Sequence, residues 1–290
     1  MSPPAEIVTV LDREDGRAGD WVENRPSSGW LPRLDVRDLW AHRELALVLA
    51  LKDLRVRYKQ TFFGIAWAAL QPLLAVLIFS VIFGHLAHLP AEGLPYPVFV
   101  YCGLGIWLYV SGAVSSCAQS LVDNRDLVTK VYFPRLLAPI AAVLPGLVDL
   151  VPSLAIIGIF LGAYGVAPGP ALALLPLWIL AGAIVAIAVG LWLAALNVKY
   201  RDVRYALPFL LQIWMFGSPV VYASTLVHGH WRYAFAVNPM VTLVDGFRWS
   251  LAGGPAPGLE GLVSVAVVAV ILASGFVYFR RVEQYFADVI

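Results

Sequence analysis

Six apolar stretches, separated by loops whose positive charge alternates, constrain this chain more than any motif in it. The hydrocarbon core of a bilayer is about 30 Å thick and takes about 20 apolar residues as a helix. Stretches of that kind run over residues 62–83, 97–121, 136–163, 172–198 and 259–279. A shorter one, 206–222, carries Gln212 and a Gly217-Ser218-Pro219 break. Eighteen of the twenty Lys and Arg residues lie before the first stretch, after the sixth, or in the second and fourth connections. Only Arg232 and Arg248 fall in the other connections. Cytoplasmic loops retain positive charge, so this alternation predicts six spans with both termini in the cytoplasm.

Composition agrees. Charged residues make up 13% of the chain, where a soluble domain carries about 25%. A net charge of +1 gives no reason to expect nucleic acid as a partner. Cys102 and Cys117 share one apolar stretch, which argues against a disulfide framework. Residues 1–37 contain no apolar core of a cleavable signal, so the first span is expected to direct insertion.

Residues 1–37 mix charge with Pro and Gly and read as an irregular cytoplasmic tail, with Trp21 and Trp30 as surface anchors. Over 38–61, Leu47, Ala50, Leu51, Leu54 and Tyr58 recur at helical spacing while Arg43, Lys52, Asp53, Arg55 and Lys59 fill other faces. That pattern predicts an amphipathic helix in the membrane interface, or one packed on a partner. Residues 223–258 are too apolar for a solvated loop, and Tyr233, Val237, Met240 and Leu243 keep helical spacing. Short re-entrant helices on the outer side are expected there, with Asp245 and Arg248 paired on one helical face. Trp107, Tyr109 and Trp249 fit the aromatic belts at the membrane surfaces.

Catalytic constellations are missing from the sequence. It has no phosphate-binding G-x-x-x-x-G-K-[ST] loop, and His85 and His88 lack a third metal ligand. Residues 62–163 and 172–279 show no internal repeat, which weighs against an inverted-repeat secondary transporter. Asp149 is the one ionisable residue deep in a span, at an insertion cost of about 3 kcal/mol. Between Pro145 and Pro152 it suits an interhelical hydrogen bond better than a proton relay. Two basic connections, 123–139 and 197–210, are short and tied to long spans. They suit force transmission from a cytosolic partner, or are ordinary positive loops.

The run NVKYRDVRYALPFLLQIWMFGSPVVY followed by NPMVTLVDGFRWSL resembles the membrane subunit of ATP-binding-cassette exporters of bacterial surface polysaccharides, the O-antigen, capsule and teichoic acid exporters. RVRYKQTFFGIAWAALQPLL at 55–74, FPR at 133–135 and FAD at 286–288 extend the resemblance over about 38–290. It implies an all-α integral membrane fold of six transmembrane helices, an N-terminal interfacial helix and re-entrant outer helices. It also implies a homodimer in the bacterial inner membrane, bound by two copies of a cytosolic ATPase that carries the ATP and magnesium. This chain itself is then expected to hold no cofactor and no metal, and to be a transporter subunit rather than an enzyme. The substrate implied is a polyprenyl-linked polysaccharide.

By position, Asp126, Lys130, Tyr132, Phe133, Arg135, Tyr200, Arg201 and Asp202 become the candidates for coupling to the ATPase. Trp67, Gln71, Gln212, Trp214, Phe216 and Ser218 become channel-lining candidates, because aromatic faces let a sugar chain slide without a fixed register. Asn238, Pro239, Asp245 and Arg248 become the outer gate. The alternatives are a permease for a smaller lipid or drug, a channel, or a membrane-embedded glycan-modifying enzyme.

Overall fold

A computed structural model describes residues 36–59, 66–130, 133–283 and 286. The expected tail falls outside these apart from its last two residues. Every regular element among the described residues is helical. Helices α1 (Val36–Ala41) and α2 (Arg43–Tyr58) come first. Helix α3 (Ala66–Phe79) widens into a π-helical turn over Ser80–Leu86. Then follow α4 (Tyr96–Asp123), α5 (Arg125–Lys130), α6 (Leu137–Ala141) and α7 (Pro145–Ala163). A 3-10 turn at Pro170–Leu174 leads into α8 (Leu175–Lys199), followed by α9 (Val203–Phe216). After a 3-10 turn at Ser224–Leu226 come α10 (Trp231–Phe235), α11 (Pro239–Ala252) and α12 (Gly261–Glu283).

Four helical stretches are long and apolar enough to cross a membrane: Tyr96–Asp123, Leu137–Ala163, Pro170–Lys199 and Gly261–Glu283. The other two apolar stretches give shorter apolar helices, Leu70–Leu86 and Val203–Phe216. The stretch expected over 206–222 is helical only to Phe216, because Gly217 ends α9 and Ser218 and Pro219 turn the chain. Proline sets several starts, since its missing N–H is already unpaired in a first turn. It occupies the first turn of α4, α7, α8 and α11. Gly253 closes α11 with a positive φ of 70°, the left-handed cap that a side chain resists.

Helix α4 is the axis of the fold, buried nearly all round from Val98 to Val110. It packs against α8, α7, α11 and α3. Between helices in lipid, close approach depends on small residues. Helix α8 presents Ala186, Gly190 and Ala194 as part of its buried face, and a Cβ on Gly190 would collide with the Cys117 side chain. Farther along, Gly246 of α11 receives the Trp178 ring so closely that no side chain fits there. Trp192 of α8 packs over Gly275 and stacks on Tyr278 of α12 at 4.6 Å.

Burial corrects three expectations. Trp107 and Tyr109 are interior residues at 4% and 3% exposure, not belt residues, because α4 has neighbours on every side. On α2 the residues buried against the bundle are Leu49 and Ala50, whereas Leu47 and Leu51 of the expected stripe are exposed. Apolar residues thus occupy two faces of α2, one on α6 and α7 and one turned outward with Val48 and Val56. Lastly, the spacing from Tyr233 to Leu243 crosses a break at Asn238-Pro239. Tyr233 and Val237 are exposed while Met240 and Leu243 are buried.

Candidate transport cavity

A cavity of about 910 Å³ opens between α2, α3, α4, α7 and α9. Gln71 from α3 and Gln212 from α9 line it, as does the Trp107, Leu108 and Tyr109 segment of α4. Trp214 meets Trp107 edge to face, with ring centroids 5.5 Å apart. This part of the wall is therefore aromatic with two amides, and ring faces impose no fixed hydrogen-bond register on what they touch. Of the other channel candidates, Phe216 is exposed and Ser218 is buried. Trp67 lies on α3, with its side chain outside the described residues.

One end of the cavity is polar. Both Arg57 Nη1 and the Tyr58 hydroxyl donate to the Asp149 carboxylate, so the expected interhelical bond is made to α2. Arg57 Nη2 also donates to Ser116 Oγ at 3.1 Å, which gathers α2, α4 and α7 around one guanidinium. Burial, followed by the hydrogen bond to Asp149, pushes the Tyr58 phenol up to about 12. Tyr58 therefore stays a donor at any physiological pH. The sequence marked Asp149 as a lone acid in a span, but its partners are separated from it by 91 and 92 residues. Trp107 was hidden in a uniformly apolar run, where periodicity says nothing about which face meets a cavity.

The candidate gate residues form two tight assemblies beyond α9. Asn238 caps α11, its Oδ1 accepting from Met240 N at 3.1 Å and from the Trp214 indole N–H at 2.9 Å. Its Nδ2 donates to the Gly217 carbonyl and to Ser218 Oγ, each at 2.9 Å. One amide so uses both acceptor sites and both donors, joining the end of α9 to the start of α11. Pro239, in the first turn, is buried. The second assembly surrounds Arg248, which is 1% exposed. Its Nε donates to the Phe99 carbonyl at 3.1 Å and Nη2 to the Val220 carbonyl at 2.6 Å. The guanidinium lies 3.6 Å from the centre of the Phe99 ring. Asp245 Oδ1 stands 3.7 Å from Nη1, close enough for charge attraction and too far for a hydrogen bond.

At the basic end, the coupling candidates divide by exposure. Asp126, Tyr200, Arg201 and Asp202 are exposed. Phe133 is buried in a cluster with Leu137, Phe279 and Phe286, which brings the first residues of FPR and FAD together. Arg135 Nη1 donates to the Glu283 carbonyl at the close of α12, satisfying one of the acceptors a helix end leaves open. Lys130 ends α5 with its side chain outside the described residues, and Tyr132 lies outside them altogether. Lys52 Nζ of α2 donates to Asn124 Oδ1, and the buried Asn124 amide is held in turn by the Ser120 carbonyl at 2.8 Å. No group of three His, Cys, Asp or Glu that could hold a metal occurs among the described residues.

A helical bundle with long apolar helices, a half-polar cavity between them and exposed basic connections describes a multi-pass membrane protein. The chain belongs to the ABC-2 type transporter family, whose profile matches residues 44–252, from the first turn of α2 to the end of α11. It is similar to the O-antigen export system permease protein RfbA of Myxococcus xanthus, at 31% identity over 255 residues. That match covers 86% of this chain and 97% of the relative. Two Klebsiella pneumoniae proteins of the same name are 22% and 24% identical, each over 85% of this chain and 95% of their own length.

Proposed function

We propose that this chain is the membrane subunit of an ATP-driven exporter that moves a lipid-linked polysaccharide from the cytoplasmic side of the inner membrane. The observation that carries the reading is the cavity wall, where Gln71 of α3 and Gln212 of α9 stand with Trp107 and Tyr109. Names of the relatives supply the cargo class, since all three are called O-antigen export permeases. In this reading α3 and α9 complete the count of six spans, and the basic end faces the cytosol.

Two copies bring their α3 and α9 helices together. Outward apolar faces support that pairing: Leu74, Leu77 and Ile78 on α3, and Phe209, Leu210 and Ile213 on α9. Each copy binds one cytosolic ATPase through its exposed connections, and ATP and magnesium reside on that partner. Residues 223–250 cover the outer end of the passage as short inserted helices.

The test is ATP-dependent movement of a polyprenyl-linked glycan into inverted vesicles containing the chain and its cognate ATPase. Movement that needs both ATP and the partner is expected. Chemical modification of the glycan by the chain alone would sink the reading in favour of an enzyme, and transport restricted to short lipids would shift the cargo.

A further inference from the structure

We propose that α2 is a lever between the basic-end connection and the cavity, and that the Arg57–Asp149 ion pair is the latch it operates. The inference deepens the exporter reading and rests on it. Its basis is a pair of polar attachments of α2 to the bundle, among the described residues, that lie five residues apart. At the first, Lys52 holds Asn124, the residue joining α4 to α5. The Asn124 carbonyl accepts from Leu127 N at 3.0 Å, so Asn124 moves with the first turn of α5. At the second, Arg57 and Tyr58 hold Asp149 in the cavity wall. Five residues of helix span about 7.5 Å, too short a length to absorb a displacement by bending. A pull on α5 therefore reaches Arg57 through α2.

The second attachment is built to let go. Its side chains are 38% and 26% exposed, so the pair is no sealed structural bridge and binds only modestly. Pro152 lies one turn beyond Asp149 and removes the hydrogen bond that the Val148 carbonyl would accept, which softens α7 at that point. Arg57 also ties α2 to two other elements, through Asp149 of α7 and Ser116 of α4. Releasing it removes the tie that Arg57 makes between α2 and the α4–α7 wall of the cavity. Lys52, Asn124, Arg57 and Asp149 are positioning residues for transport on this account.

The experiment uses the full complex with its ATPase in vesicles. Gly112 on the cavity wall has open space around it, so Gly112→Cys serves as a thiol reporter. Its rate of reaction with a maleimide is expected to change about fivefold or more on ATP binding, in the range usual for coupled sites. Adding Asp149→Asn, or Asn124→Ala, should make that rate independent of nucleotide while ATP hydrolysis continues. Glycan moved per ATP should fall in both variants. Arg57→Asp with Asp149→Arg should restore the nucleotide response that either single reversal abolishes. A merely structural pair would lower the amount of complex and leave both the response and the ratio of glycan to ATP unchanged. That result, or a normal response in Asn124→Ala, overturns the lever. The thiol response is read without glycan, so failure of the exporter reading appears separately, as wild-type vesicles that respond to ATP and move no glycan.

Discussion

Arg248 shows what one charged residue does when lipid and protein deny it water. Its fork is shared between the Phe99 and Val220 carbonyls, which sit on two different segments. An ammonium cannot reproduce that planar geometry, so Arg248→Lys should lower the melting temperature of the purified subunit. Arg248→Ala should be worse, because it takes a donor from the buried Val220 carbonyl and the countercharge from the Asp245 carboxylate, at about 1–3 kcal/mol for a buried group left short of its partner. The pair at 3.7 Å predicts that Asp245→Ala with Arg248→Ala is milder than the sum of the single changes. Strict additivity in the melting temperatures would refute the coupling. Gly103 belongs to the same assembly: a Cβ there would stand 2.6 Å from both Arg248 Nη2 and the Val220 carbonyl. Gly103→Ala should therefore destabilise by about 1–3 kcal/mol, read as loss of folded protein on heating. Asn238→Ala loses a helix cap worth about 1 kcal/mol and leaves the Trp214 indole unpaired as well. Asn238→Asp keeps the cap and should retain more stability, though it loses both donors. The sequence singled out Asn238 and Arg248 through their resemblance to a known motif. It offered no hint that their main partners are backbone carbonyls and an indole, because such partners leave no residue-type signature.

Among the elements, legibility followed hydropathy. The four long helices agree with their apolar stretches to within a few residues, since hydropathy is a local sum that survives any packing arrangement. What a neighbour decides was not legible. The π-helical turn at Ser80–Leu86 and the separation of α6 from α7 are of that kind, whereas the end of α9 at Phe216 follows the Gly217-Ser218-Pro219 break visible in the sequence. Helix α2 is the clearest case: its stripe was read on one side, and it carries apolar residues on two. Leu49→Glu, at 3% exposure, should lower the yield of folded protein. Leu51→Glu, at 51% exposure, should leave folding intact and weaken burial of α2 in a bilayer. Quenching of a probe at residue 48 by lipid-borne quenchers distinguishes them, with quenching reduced in folded Leu51→Glu protein. Equal loss of folded protein in both variants would show that the second face is also packed within the protein.

For the whole molecule, charge distribution makes a prediction independent of any packing. Single cysteines at 90–94 and 166–169 should react with an impermeant reagent from outside intact cells, and those at 201–204 should not. The reverse pattern would invert the topology and with it the side from which the cavity is loaded. Assembly has its own test, since a cysteine at Phe209 or Ile213 should cross-link to the same position in a second copy. The cavity was only half legible at this scale. Gln71 and Gln212 were readable as amides in apolar helices, whereas the polar end depends on Arg57 meeting an acid 92 residues away.

The early end of α9 has a consequence for the lipid. Fourteen residues rise about 21 Å, while the hydrocarbon layer measures about 30 Å. In the proposed exporter, lipid that reaches α9 beside the contact between copies answers the mismatch by thinning. Acyl chains beside α9 are then compressed and tilted, and headgroups and water are drawn toward the mid-depth of the membrane. A dent of this kind shortens the greasy distance that a hydrophilic polymer must cross. In the proposed exporter it sits against the wall that carries Gln212, so the lipid beside α9 becomes part of the passage.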